Sequence, residues 1–249
     1  MTSSDIPVCP IMGVNVAAID AGFLSRYLDE NLGCLRGQYV CVCNVHTTVM
    51  SWRDREYQAV QNGAALVIPD GKPLSVVGRR RGHRGMDRVT GPDLMTTTFS
   101  DPRFRDRSHY FYGSSQATLD HMRSTLETNY PALRIAGMFS PPFRQLSDED
   151  RVADIERIRG SEADFVWVGL GAPKQERWMA DHLGQFDAVM IGVGAGFDYL
   201  AGNIRRAPRW MQNAGLEWAY RLMQDPARLF GRYASTNWSF LYHAVVRGR

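Results

Sequence analysis

The stretch ALVIPDGKPL, residues 64–73, ends a short apolar run in an acid, Asp70, followed at once by Gly71. Ala-Leu-Val-Ile has the pattern of a buried strand, and Pro69, Gly71 and Pro73 stop a strand and turn the chain. Asp70 is therefore expected at the mouth of a sheet. In open α/β sheets ligands bind just outside the carboxyl ends of the strands, so a lone carboxylate there is a candidate general base. The alternative is an Asp that only accepts turn hydrogen bonds.

Further strand-like runs lie on either side: QYVCVCNV at 38–45, HYFYGS at 109–114, LRIAGMF at 133–139, DFVWVGLG at 164–171 and AVMIGVGAGF at 188–197. Amphipathic stretches such as 116–129 and 147–159 separate them. Strands that are apolar throughout, alternating with helices, predict an α/β fold with a mostly parallel sheet covered on both faces. From about residue 203 the pattern becomes helical only, broken at Pro208 and Pro226, with Asp225 and Pro226 placed as N-cap and first helical residue. The expected organisation is thus a core over 1–202 and a helical appendage over 203–249.

Charge divides along the same line. Residues 203–249 carry eight Arg and no Lys against Glu217 and Asp225, while the whole chain has a net charge of only +3, so the body is slightly acidic. A basic tail points to a polyanionic partner, whether substrate phosphates, anionic lipid or nucleic acid, or else to a solvated basic face. Cys9, Cys34, Cys41 and Cys43 contain no C-x-x-C pair and read as reduced cytosolic thiols. With no secretory signal pattern and no apolar run near the roughly 18 residues of a spanning helix, a cytoplasmic protein, soluble or peripheral, is expected.

Several strand ends carry turn chemistry. FYGSSQAT places Gly113, Ser114 and Ser115 between a strand and a helix, suited to hold phosphate or ribose oxygens or simply to cap the helix. GLGAPKQE at 169–176 supplies a glycine turn and then Gln175 and Glu176; GVGAGFDYLAG at 192–202 supplies another and then Asp198. The latter is no dinucleotide fingerprint, because the third glycine would fall at Phe197. With no Tyr-x-x-x-Lys pair either, a nucleotide-sugar oxidoreductase or epimerase is disfavoured. DED at 148–150 follows Ser147 and reads as a charged helix start, so no metal is assigned. His46, in NVHTT, could touch substrate or only complete a turn, and Arg79-Arg80-Arg81 reads as a solvated loop. A purely binding protein built on the basic tail would leave the Asp70 turn unexplained.

Taken together, NVHTT, IPDGKPL, RVTGPDLM, FYGSS, VGLGAPKQERWM, GVGAGFDYLAGNIRRAPRWMQNAGLEWAYRL and DPARLFGRY resemble the WecG/TagA/CpsF family of bacterial glycosyltransferases, from about Gly13 to Phe240. The resemblance implies a Rossmann-like core and an inverting, metal-independent transfer of a sugar from a nucleotide-diphosphate donor, a UDP-sugar, to a polyprenyl-linked acceptor in surface-polysaccharide or teichoic-acid assembly. It implies Asp70 as general base, with Arg221, Arg228 and Arg232 meeting the leaving diphosphate. Thr47 or Thr48 would lie beside the sugar, and Gly113, Ser114, Gln175 and Asp198 would form the donor site. It further implies no cofactor and no nucleic-acid partner. The appendage would hold the enzyme at the inner face of the cytoplasmic membrane, and a homo-oligomer is compatible with all of this.

Overall fold

The structure, a computed structural model, describes residues 6–144 and 146–248, with Arg228 and Arg232 described in their backbone only. In chain order it contains β1 (Val8–Ile11), β2 (Val14–Ala17), α1 (Ala21–Glu30), α2 (Leu32–Leu35), β3 (Tyr39–Cys43), α3 (Val45–Arg53), α4 (Arg55–Asn62), β4 (Leu66–Pro69), α5 (Lys72–Arg80) and α6 (Gly91–Ser100). There follow β5 (Ser108–Gly113), α7 (Gln116–Asn129), β6 (Arg134–Phe139), α8 (Asp148–Gly160), β7 (Phe165–Gly169), α9 (Lys174–Asp181), β8 (Val189–Gly192), α10 (Gly196–Leu200), α11 (Arg209–Asn213), α12 (Glu217–Gln224) and α13 (Pro226–Phe240).

Six strands form one sheet in the order β4-β3-β8-β7-β5-β6, and the β3/β8, β8/β7, β7/β5 and β5/β6 pairs are parallel. These are the six runs read from the sequence. Helices between successive strands are what a parallel sheet requires, because its connections must cross from one end to the other. The sheet is therefore the Rossmann-like α/β arrangement that the alternation predicts. The antiparallel β1–β2 hairpin, which pairs Val8 with Ala17 and Ile11 with Val14, is an addition that the sequence reading lacked. Its strands are four residues long and Pro10 interrupts one of them, which masks the alternation by which strands are recognised.

The described residues cluster into two compact units, one of 6–21, 42–90 and 204–248, the other of 22–41 and 91–203. In the first, α13 packs on α3, with Leu229, Phe240 and Ala244 buried and the Trp52 and His243 rings in tilted contact at 5.2 Å. In the second, Phe99 meets His109, Phe111, Tyr130 and Trp167 edge-on at 5.3–6.0 Å, and all but Tyr130 of these partners are fully buried. The DED segment opens α8 as a capping box, in which Ser147 and Asp150 each satisfy the other's backbone N–H.

Candidate active site

Asp70 follows the last residue of β4, and its backbone N–H donates to the Cys43 carbonyl (2.7 Å), which ties the turn to the end of β3. Gly71 then adopts φ +96° immediately before α5. That left-handed backbone is strained for any side-chain-bearing residue, so the glycine fixes the sharp exit that leaves Asp70 at the strand mouth. The apolar run stops here because the chain turns at Gly71 into α5.

The neighbouring strand supplies Asn44, the N-cap of α3. Its Oδ1 accepts from the backbone N–H groups of His46 (3.0 Å) and Thr47 (3.2 Å), and Thr47 Oγ1 accepts from the Asn44 N–H (2.9 Å) in return. With two donors fixing which end of the amide is oxygen, Nδ2 is left to face Asp70, and it donates to Oδ2 at 3.4 Å. Thr47 and Thr48 are buried with both hydroxyls engaged at this helix start, Thr48 donating to the Asn44 carbonyl at 2.7 Å. Both threonine hydroxyls bond the Asn44 backbone, and His46 sits half-buried in the same cap.

Asp70 is half-buried, and loss of water pushes its carboxyl up to about 6. The Asn44 hydrogen bond and the guanidiniums of Arg88 and Arg221 pull the other way, while the Glu217 carboxylate adds to the rise. Arg88 donates to Glu217 Oε2 at 2.7 Å and to Gln212 Oε1 at 3.2 Å; Arg206 pairs with the other Glu217 oxygen, Oε1, at 3.5 Å and donates to Gln212 Oε1 at 3.2 Å. Gln212 is itself anchored to the Ala207 carbonyl at 2.7 Å. Arg221 stands one helical turn beyond Glu217 on α12. The side chains of Arg228 and Arg232, on α13, lie outside those described.

The other unit holds the remaining residues read as donor contacts. Gly113 ends β5 at φ +122°, where a Cβ would come within 2.7 Å of the Gly169 backbone. Ser114 follows at φ +61°, its N–H on the Gly169 carbonyl (3.1 Å), and Ser115 caps α7. Gln175 is buried and braces two loops at once: its Oε1 accepts from Gly171 N (3.2 Å) and Gly194 N (3.0 Å), while Nε2 donates to Glu176 Oε1 (2.8 Å). Asp198, half-buried on α10, accepts from Asn203 Nδ2 at 3.1 Å.

Around Asp70 the structure therefore adds Asn44, Arg88, Arg206, Gln212 and Glu217 to the residues singled out by sequence. The signal was present in the motifs RVTGPDLM and GLEWAYRL, which carry Arg88 and Glu217, but nothing in their spacing says that they meet.

A carboxylate poised near neutrality among guanidiniums, at a strand end of a parallel α/β sheet, can take a proton from an attacking hydroxyl. A family model described as glycosyl transferase WecG/TagA/CpsF family matches residues 9–249, so the protein is a glycosyltransferase. The chain belongs to that family, as the resemblance implied. Among curated proteins it is 28% identical over 229 residues to an N-acetylglucosaminyldiphosphoundecaprenol N-acetyl-beta-D-mannosaminyltransferase of Bacillus subtilis (strain 168), covering 92% of this chain and 86% of the relative. It is 31% identical over 205 residues to a protein of the same name from Bacillus spizizenii (82% and 76%). A third, from Staphylococcus aureus (strain MW2), is 27% identical over 198 residues (79% and 76%).

Proposed function

We propose that this glycosyltransferase moves a sugar from a nucleotide-diphosphate donor, a UDP-sugar, to a polyprenyl-diphosphate-linked acceptor in bacterial surface-polysaccharide or teichoic-acid assembly. The relatives' names, which specify a diphosphoundecaprenol-linked acceptor and a mannosaminyl transfer, support the acceptor class. The observation that carries the chemistry is Asp70, whose carboxyl is held near 6 beside Arg88 and Arg221. The acceptor hydroxyl attacks the anomeric carbon and its proton passes to Asp70. The bond from that carbon to the donor's phosphate oxygen breaks on the opposite face, and the configuration inverts.

The nucleoside diphosphate then leaves with its electron pair. Its charge is met by arginine forks, Arg221 foremost and Arg228 and Arg232 with it, in place of a metal ion. On this reading Thr47 and Asn44 keep Asp70 aimed. In the other unit Gly113, Ser114, Gln175 and Asp198 shape the loops that receive the donor.

The test is release of UDP from a panel of UDP-sugars with a synthetic polyprenyl-diphosphate sugar as acceptor. Loss of a general base costs ~10²–10⁴-fold in rate, so Asp70→Asn should fall by that factor while wild-type activity survives excess EDTA. An Asp70→Asn rate within about threefold of wild type removes the base assignment. A strict requirement for Mg²⁺ or Mn²⁺ removes the arginine account of the leaving group.

A further inference from the structure

We propose that Glu217 is a positioning residue for the transfer: its carboxylate clasps Arg88 and Arg206 and sets the electrostatic field at Asp70. This deepens the reading above and rests on Asp70 being the base. Both guanidiniums reach the neutral Gln212 Oε1 at 3.2 Å, but one amide oxygen shared between two groups of five donors each does not hold either in a single orientation. Glu217 accepts from Arg88 at 2.7 Å and forms an ion pair with Arg206 at 3.5 Å, and what it brings that Gln212 does not is charge.

That charge acts where solvent screens it poorly. The side chains of Arg88 and Glu217 are only 17% and 23% exposed, and α12 carries Arg221 one turn further on. The groups that act on Asp70 are Asn44 at the start of α3, by its hydrogen bond at 3.4 Å, and, through their charges, Arg88 from the segment after α5 and Glu217 and Arg221 from α12. Burial is the main cause that raises the Asp70 carboxyl, and Glu217 adds a like charge that opposes the Asn44 hydrogen bond and the Arg88 and Arg221 guanidiniums, which favour the ionised form and a weaker base. With Glu217 present, a like charge offsets the arginines, and the carboxyl keeps enough proton affinity to accept the acceptor's proton. The clasp also fixes Arg88, so that it faces Asp70 in one arrangement.

The experiment compares wild type, Glu217→Gln and Glu217→Asp by two readouts: the pH–rate profile of sugar transfer, and titration of the Asp70 carboxyl by ¹³C NMR of aspartate-labelled protein, its signal assigned by its loss in Asp70→Asn. Removing the charge should move both the acid limb of the profile and the Asp70 titration to lower pH, and lower the plateau kcat by ~10-fold or more because Arg88 is no longer held. Glu217→Asp keeps the charge but shortens the reach, so it should leave the acid limb where wild type has it while still lowering kcat. Wild-type values of kcat and of the Asp70 titration in Glu217→Gln would overturn the proposal. Should that variant not fold, Glu217→Asp decides alone, wild-type kcat counting against the proposal and reduced kcat with an unmoved limb counting for it. If Asp70→Asn itself retains activity, the base assignment fails, and the NMR titration still reports whether Glu217 acts on Asp70.

Discussion

At the scale of single residues, the burial of Asp70 carries a cost to stability. A carboxyl raised from 3.8 to about 6 binds its proton more tightly in the folded protein than in the unfolded chain. The folded state is therefore favoured in full below about pH 3.8 and loses stability as the pH rises through 6, by a total on the order of 3 kcal/mol. Asp70→Asn, neutral at every pH, should melt several degrees higher than wild type at pH 8 and within a degree of it at pH 4. Scanning calorimetry at the two values checks this, and equal melting points at pH 8 would mean that the carboxylate is well solvated. Asp70 was legible in the sequence because Pro69, Gly71 and Pro73 frame it. Glu217 was not, because it meets Arg88 across 129 positions of chain, and no local period or spacing encodes such a pair.

At the scale of elements, strands and glycine turns were the readable part, since continuous apolar runs and chain breakers act locally. The roles of residues within the turns were less so. Gln175 reads in sequence as a polar residue free to touch a ligand, whereas its amide closes a brace between the loops after β7 and β8. Gln175→Ala would leave the Gly171 and Gly194 N–H groups without that acceptor. Leaving a buried donor unsatisfied costs about 1–3 kcal/mol, so urea unfolding should show a loss of about 2 kcal/mol or more. If the two loops receive the donor, the KM for the UDP-sugar should rise at the same time. A variant as stable as wild type would show that other groups hold the two loops.

At the scale of the whole molecule, composition separates a basic, aromatic tail from the body along the chain, while proximity groups residues 204–248 with 6–21 and 42–90. A linear reading cannot express a unit assembled from three segments, and the burial of Leu229, Phe240 and Ala244 explains why the tail belongs to one. Three of the tail's large aromatic side chains remain outside that packing: Trp210 is 65% exposed, Phe230 67% and Trp238 75%. No helix among the described residues is long and apolar enough to cross a membrane. Exposed aromatics beside arginines suit the bilayer interface, where rings sit at headgroup depth and each cation adds ~1 kcal/mol at an anionic surface. Replacing Trp210, Phe230 and Trp238 together by Ala should leave the melting point unchanged, because these side chains support no core, and reduce partitioning onto phosphatidylglycerol-containing vesicles at least tenfold in a sedimentation assay. Wild-type binding should weaken as NaCl rises from 0.05 to 0.5 M, as screening removes the arginine contribution and leaves that of the rings. If the triple variant partitions as wild type does, these three aromatics are no membrane anchor.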